Sequence, residues 1–583
     1  MNYSCLNNFT FLSAMLVLVQ INFVVAQNDL PEHMIPKESS YTMVLKSFAD
    51  HKEYESGTGS NPAGTVSAFG AIKVGAPKDG TGRVFVSFQT GKIIVYDSLG
   101  KELNVFLDLS SISSETGFIN GEGASAFRGL MYFDFHPQYG IEGSLGYGKI
   151  YLGYQVKSSF DQYGLHANYR IQDFNSRTGS NQYAISEFTV DLSDKNKADI
   201  NSYREIFRVQ TEGNNPHGLG ELAFNPNLKL GDENFGLLYV AIGDGNALGN
   251  NAPDKGYIQQ LNNPFGKILC INPLQTANSK YSIPLSNPYY GQQNTAQEIY
   301  AVGFRDPQTF SFSKDLNGEQ ILIVFDIGAS DREEIVFARP GGNYGWDRFE
   351  GTLIHDSSIL LYNNQKHSLP VVEYDHSISS YAIAGGLIVS DLNDGSFKEK
   401  VIFTDLPTGR MFFSDYKKML HCEKEGTQSN FYEITNFDLD NNSTNQSVSI
   451  KELLNIERGD IRFGFDEKGA VYLISKQVGK IFKTDFVRTK NIILSSAAQN
   501  NFSDDIILYP NPADEYIKVK MPKSTNNTNL NVSIRNYTGI IFETVVKYEA
   551  EEFVIDLDKL ESGFYIVDLI INDRSFHEKI FIK

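Results

Sequence analysis

Cysteine is scarce in this chain, with three in 583 residues. Cys5 lies in the N-terminal apolar segment, which leaves Cys270 and Cys422. Two thiols allow a single disulfide or two buried cysteines, but they exclude a disulfide framework. Neither belongs to a CxxC pair or a Cys/His cluster, so a zinc site has no support. Positive charge is also short: 51 basic against 70 acidic residues give a formal charge of −19. That field repels phosphate backbones and argues against nucleic acid as a partner. Beyond Phe9–Val25 no apolar run is long enough to span a bilayer. The sequence also lacks a G-x-S-x-G elbow and an H-E-x-x-H helix, which removes two common hydrolase classes.

What is present is β-forming residues. Hydrophobic residues make up 41% and aromatics 13%, enough to bury a large core. The length implies at least two domains. Phe9–Val25 followed by Val24-Val25-Ala26 predicts a signal peptide over residues 1–26. No basic stop-transfer cluster follows it, so the mature chain is expected outside the cytoplasm without a transmembrane anchor. Residues 27–44 are polar, contain proline and read as a leader. From 45 to 487 short strands dominate, such as Arg83-Val-Phe-Val-Ser-Phe88 and Leu238-Tyr-Val-Ala-Ile242, each bounded by Gly, Asp or Asn. No long helical period interrupts them. That much meandering strand exceeds one sandwich, and a β-propeller is the compact solution with few exposed edges. Residues 488–505 read as a linker, and the strands of 506–583 predict a small β-sandwich.

The last stretch resembles the C-terminal sorting domain of Bacteroidetes type IX secretion. Leu508-Tyr-Pro-Asn-Pro512 opens it, Tyr537-Thr-Gly539 makes a central turn, and Gly563-Phe-Tyr-Ile-Val567 and Glu578-Lys-Ile-Phe-Ile-Lys583 close it. Pro510 and Pro512 stiffen the entry to the first strand. The resemblance implies an Ig-like sandwich, the type IX secretion machinery as a partner, and a secreted or cell-surface product.

The main body carries an ordered series of motifs. Arg128-Gly-Leu-Met131 and Phe135-His-Pro137 come first, then His217-Gly-Leu-Gly-Glu-Leu-Ala-Phe-Asn-Pro226 and Gly243-Asp244. Val302-Gly-Phe-Arg-Asp-Pro-Gln308, Asp326-Ile-Gly328 and Pro340-Gly-Gly-Asn-Tyr-Gly-Trp346 follow, with Asp460-Ile461 near the end. In this order they resemble the glucose/sorbosone dehydrogenase family, which includes soluble sugar dehydrogenases that use pyrroloquinoline quinone (PQQ). The resemblance implies an all-β, six-bladed β-propeller ahead of the sandwich, with a sugar or glycan as substrate. It also implies PQQ as hydride acceptor and Ca2+ held by the backbone carbonyls of Gly328 and Ala329. His217 matches the family's catalytic base, a role suited to imidazole because its ordinary pKa lies near neutrality. His136 and His376 read as structural.

Candidate cofactor contacts are Asp244, Asn246, Ile327, Arg305, Arg410 and Arg458. Several positions depart from the family pattern. Phe127 stands where Glu or Gln is usual, Ile327 replaces a glutamine, and the loop Gly245–Asn251 carries no cation. Arg458 is offset by one residue from an expected basic pair. PQQ is a tricarboxylate and needs charge-assisted hydrogen bonds. The competing expectation is a non-catalytic surface propeller, like hedgehog-interacting relatives, that binds a glycan or a protein.

Overall fold

The computed structural model describes residues 30–51, 70–120, 129–157, 168–173, 179–212, 217–245, 256–277, 279–378, 382–389, 397–439, 449–456 and 458–488 of the main body. Of the tail it describes 507–520, 530–536, 541–542, 546–549, 552–557, 560–571 and 574–583. The chain divides into two compact units, Met1–Lys490 and Asn491–Lys583.

In the first unit the described residues form six sheets of four or five strands, one after another along the chain. The first sheet is built from Ala71–Gly75, Val84–Phe88, Lys92–Tyr96 and Glu102–Asp108. The second runs through Leu130–Phe135, Lys149–Val156, Gly179–Val190 and Ala198–Glu212, and the third through Leu219–Phe224, Leu238–Ile242, Lys267–Ile271 and Ile299–Val302. Pro307–Lys314, Gln320–Asp326, Arg332–Ala338 and Val372–Asp375 make the fourth. The fifth holds Ile383–Val389, Lys400–Asp405, Met411–Asp415 and Phe431–Ile434, and the sixth begins with Ile461–Phe465, Val471–Ser475 and Lys480–Arg488. The first strand of each sheet packs against the first strand of the next, and that of the sixth returns to that of the first.

Each sheet therefore has a neighbour on both faces, and its strands are buried on both. Val84–Phe88, Leu238–Ile242 and Lys267–Ile271 are buried at every position. Neighbouring sheets share one core: Phe85 of the first packs with Phe133 and Leu152 of the second. Where two sheets come closest a side chain is not tolerated. A Cβ on Gly386 would lie 1.9 Å from the ring of Phe325 on the preceding sheet.

Both ends of the unit build its last sheets. Tyr41–Asp50 runs antiparallel to Lys480–Arg488 in the sixth sheet, and Lys37–Glu38 adds in parallel to Phe431–Ile434 in the fifth. The segment expected as a leader over 27–44 thus contributes strand from Lys37 onward, because an edge strand satisfies its backbone on an existing sheet. One ten-residue helix, Tyr416–Glu425, was not expected. Asp415 caps its start through Lys418 N–H, and Gly426 ends it at φ 69°. Cys270 and Cys422 are both free thiols, and burial pushes that of Cys270 up to about 12.

The second unit holds two four-stranded sheets. Ile517, Val519 and Ile555 from one and Ile534, Val567 and Leu569 from the other share a single core. The expected signal peptide and the linker residues 489–505 lie outside the described residues. Among the described residues no helix is long and apolar enough to cross a membrane.

Candidate functional site

His217 immediately precedes the first strand of the third sheet, and Asp244 follows its second strand. The two meet because Gly243 has no side chain: a Cβ there would sit 2.7 Å from that of His217. Gly245 N–H donates to the His217 carbonyl at 2.9 Å and closes the pair. His217 Nδ1 lies 2.7 Å from Asp244 Oδ1, with both side chains buried. Trp346, the chain's one tryptophan, donates its Nε1–H to Asp244 Oδ2 at 3.1 Å. Tyr257 Oη donates to the Asp244 carbonyl, and Asp244 N–H donates to the Arg305 carbonyl at 2.7 Å. An imidazole held at Nδ1 by a carboxylate keeps Nε2 as its working nitrogen.

Arg305 enters from the loop before the fourth sheet. Asp326 clamps its backbone by accepting N–H of Arg305 at 2.9 Å and of Asp306 at 2.7 Å. Burial pushes Asp326 well above the usual carboxylate range. The Arg305 guanidinium lies over the Trp346 ring, 5.8 Å from its centroid. Its Nη1 donates to the carbonyls of Ile327 at 3.1 Å and Gly328 at 2.6 Å, while its buried Nε has no acceptor.

The loop after Gly328 is held from the other side. Glu350 Oε1 accepts the backbone N–H of Ala329, Ser330, Asp331 and Arg332 at 2.7, 2.9, 2.9 and 3.0 Å. Burial acts to raise this carboxyl, but His355 at 3.5 Å and the converging N–H groups outweigh it and hold it at about 2. Behind the loop, His376 Nε2 lies 2.8 Å from Glu333 Oε1, and burial lifts Glu333 to about 7. His136 accepts Gln138 N–H at 3.1 Å, and burial takes it down to about 4.

The structure thus gathers His217, Asp244, Arg305, Ile327 and Gly328. Arg410 and Arg458 are held elsewhere. Arg410 makes a two-pronged ion pair with Glu433 at 2.8 and 2.7 Å, and Arg458 pairs with Asp460 at 2.9 Å. Asn246 and Phe127 lie outside the described residues. The carbonyls expected to hold calcium do not fit that ion as they stand. That of Gly328 carries a guanidinium, and among the described residues no group of three His, Cys, Asp or Glu gathers. A quinone fits better: the orphaned Arg305 Nε, beside His217 and Trp346, lacks the kind of acceptor that a carbonyl oxygen supplies. Motif reasoning missed Glu350, Tyr257 and the tie between Trp346 and Asp244, because none is near its partner in sequence.

Residues 80–430 match the profile described as glucose/sorbosone dehydrogenase. The chain belongs to that family. Residues 507–583 match the secretion system C-terminal sorting domain, so the second unit is a sorting domain. Among curated relatives, HIPL2 protein of Arabidopsis thaliana is 27% identical over 382 residues, covering 58% of this chain and 51% of that protein. Hedgehog-interacting protein of Homo sapiens is 24% identical over 259 residues, covering 44% and 32%. This chain therefore spans about half the length, or less, of the curated relatives it matches. Among solved structures, the apo soluble aldose sugar dehydrogenase of Escherichia coli is 14% identical, covers 76% of this chain and 99% of that one, and has a TM-score of 0.46. The PQQ-bound aldose sugar dehydrogenase of Streptomyces coelicolor is 15% identical, covers 78% and 100%, and has a TM-score of 0.45.

Proposed function

We propose that this glucose/sorbosone dehydrogenase family member is an exported oxidoreductase that oxidises a sugar hydroxyl, with His217 as the base. The carrying observation is the His217–Asp244 pair, a buried imidazole whose Nδ1 is committed to a carboxylate 2.7 Å away. The cyclic order of six sheets supports a six-bladed β-propeller with this site at one end of its axis, and the paired sheets of the tail support an Ig-like sandwich. Export through the type IX machinery, behind a signal peptide, follows from the sorting domain as part of the same reading.

Bound PQQ would supply the hydride acceptor. His217 Nε2 takes the proton of the reacting hydroxyl, and Asp244 stabilises the imidazolium that forms. Trp346 and Tyr257 fix Asp244, so the imidazole keeps its orientation through the step. Arg305 offers Nε–H to an acceptor oxygen of the ligand, and its position over Trp346 limits its freedom. Calcium has no part in this sequence of events.

The test is dye-linked oxidation across a panel of aldoses by the full mature protein supplied with PQQ. His217→Ala is expected to lower kcat by about 10²- to 10⁴-fold while the quinone absorbance of the bound cofactor persists. Equal turnover in wild type and His217→Ala would remove the assigned base. A second reading, a surface module that binds a glycan or protein without catalysis, is favoured by the ion pairs that occupy Arg410 and Arg458. It predicts no turnover with any sugar and no quinone spectrum.

A further inference from the structure

Arg462 lies on the first strand of the sixth sheet, among the ring of strands that surrounds the axis, and is 5% exposed. A guanidinium is charged at any accessible pH and carries five N–H donors. This one makes a single hydrogen bond, from Nη1 to Tyr132 Oη at 3.3 Å, and its buried Nε has no acceptor. The carboxylates on nearby strands are committed elsewhere. Glu221 is paired with Lys73 and accepts Phe310 N–H at 3.1 Å. Asp460 accepts Arg458 Nε at 2.9 Å and Gln477 Nε2 at 2.9 Å. A buried cation without a counter-ion is costly, by several kcal/mol for an isolated charge.

A second cation stands close by. Lys476 directly follows Ser475, which pairs with Ile461, and it is 2% exposed. Burial and the like charges of Arg462 and Arg458 bring its amine down to about 7, although Asp460 acts in the opposite direction. Hydrogen bonds connect this corner to the candidate site. Tyr132 Oη donates to the Gln308 carbonyl at 2.8 Å, Gln308 Nε2 reaches Asp306 at 3.3 Å, and Asp306 adjoins Arg305.

We infer that Arg462, with Lys476 beside it, binds a carboxylate of a ligand that enters the axial site. The inference rests on the reading of that site as a ligand pocket, and it identifies the ligand as acidic. A carboxylate places two acceptor oxygens against the open guanidinium fork and supplies the missing negative charge. Two sources carry that chemistry: an acidic cofactor such as PQQ, or a sugar acid such as a uronate.

The test is calorimetric titration of the full mature protein with PQQ, with glucuronate and galacturonate, and with glucose and galactose as neutral controls. Wild type is expected to bind at least one of the carboxylates, and Arg462→Gln to bind it about ten- to a hundredfold more weakly. Arg462→Lys keeps the charge and is expected to stay within a few fold of wild type. Lys476→Gln is expected to weaken the same ligand by several fold, which keeps the test open should Arg462→Gln fail to fold. Binding of PQQ alone makes the cofactor the source, and binding of a uronate alone makes it the sugar. Failure of every carboxylate to bind, or equal affinity in wild type and both glutamine variants, overturns the inference. Arg462-dependent binding without any sugar oxidation would refute the dehydrogenase reading and leave the carboxylate site standing.

Discussion

Replacing Glu350 with glutamine removes one negative charge from the point where four backbone N–H groups of residues 329–332 converge. The folded protein holds this carboxyl at about 2, against an ordinary value of 4.5. A difference of roughly 2.5 pH units corresponds to about 3 kcal/mol of folding free energy at neutral pH. The folded-state value lies below the unfolded one, so the contribution is complete above about pH 5 and is lost as pH falls from about 4.5 to 2. Glutamine keeps an acceptor oxygen but not the charge, so Glu350→Gln is expected to be less stable by about 3 kcal/mol at pH 7 and nearly equal to wild type at pH 2. The chain's one tryptophan, Trp346, lies in the same site, so its fluorescence in urea titrations follows this unit without contribution from the tail. A difference that stays constant between pH 7 and pH 2, or falls below about 0.5 kcal/mol at pH 7, would refute the reasoning. The same loop presents the Gly328 carbonyl to Arg305, so the variant is also expected to disturb the candidate site.

Gly386→Ala places a methyl group 1.9 Å from the Phe325 ring between the fourth and fifth sheets. It is expected to cost about 2–4 kcal/mol in the same urea assay, and a loss below 1 kcal/mol would show that the sheets can part freely. Lys267 is buried, and its amine donates to the carbonyls of Ile258 at 2.9 Å and Phe265 at 2.7 Å and to Asn263 Oδ1 at 3.2 Å. Burial takes this amine well below its ordinary value. Lys267→Met strands those acceptors and is expected to destabilise by about 2–3 kcal/mol, whereas unchanged stability would mean that water replaces the amine.

Much of the site was legible because its motifs are local. His217 and Asp244 flank two consecutive strands of one hairpin, and the glycine that lets them touch sits between them in the motif. The free state of the two thiols was not legible, because pairing depends on whether distant elements bring them together. Nor was the condition of the arginines. Arg410 looked available to a cofactor until Glu433, on a neighbouring strand, came to hold it. Arg462 looked ordinary until its neighbours proved to be occupied by other cations. A residue's charge is written in its side chain, but whether that charge is already spent is a property of what packs beside it.

The amino-acid sequence by itself determined the β-rich character of the body and the presence of a distinct terminal domain. Short β-branched and aromatic runs between glycines cannot form long helices, and their spacing sets strand and turn lengths. It also determined family membership, because ordered motifs over residues 80–430 survive divergence elsewhere. Only the tertiary structure decided that residues 41–50 complete the sixth sheet and that the Gly328 carbonyl faces a guanidinium. Only it decided that Arg462 is buried without a counter-ion. These outcomes depend on contacts between residues tens to hundreds of positions apart, and short-range propensity carries no term for them.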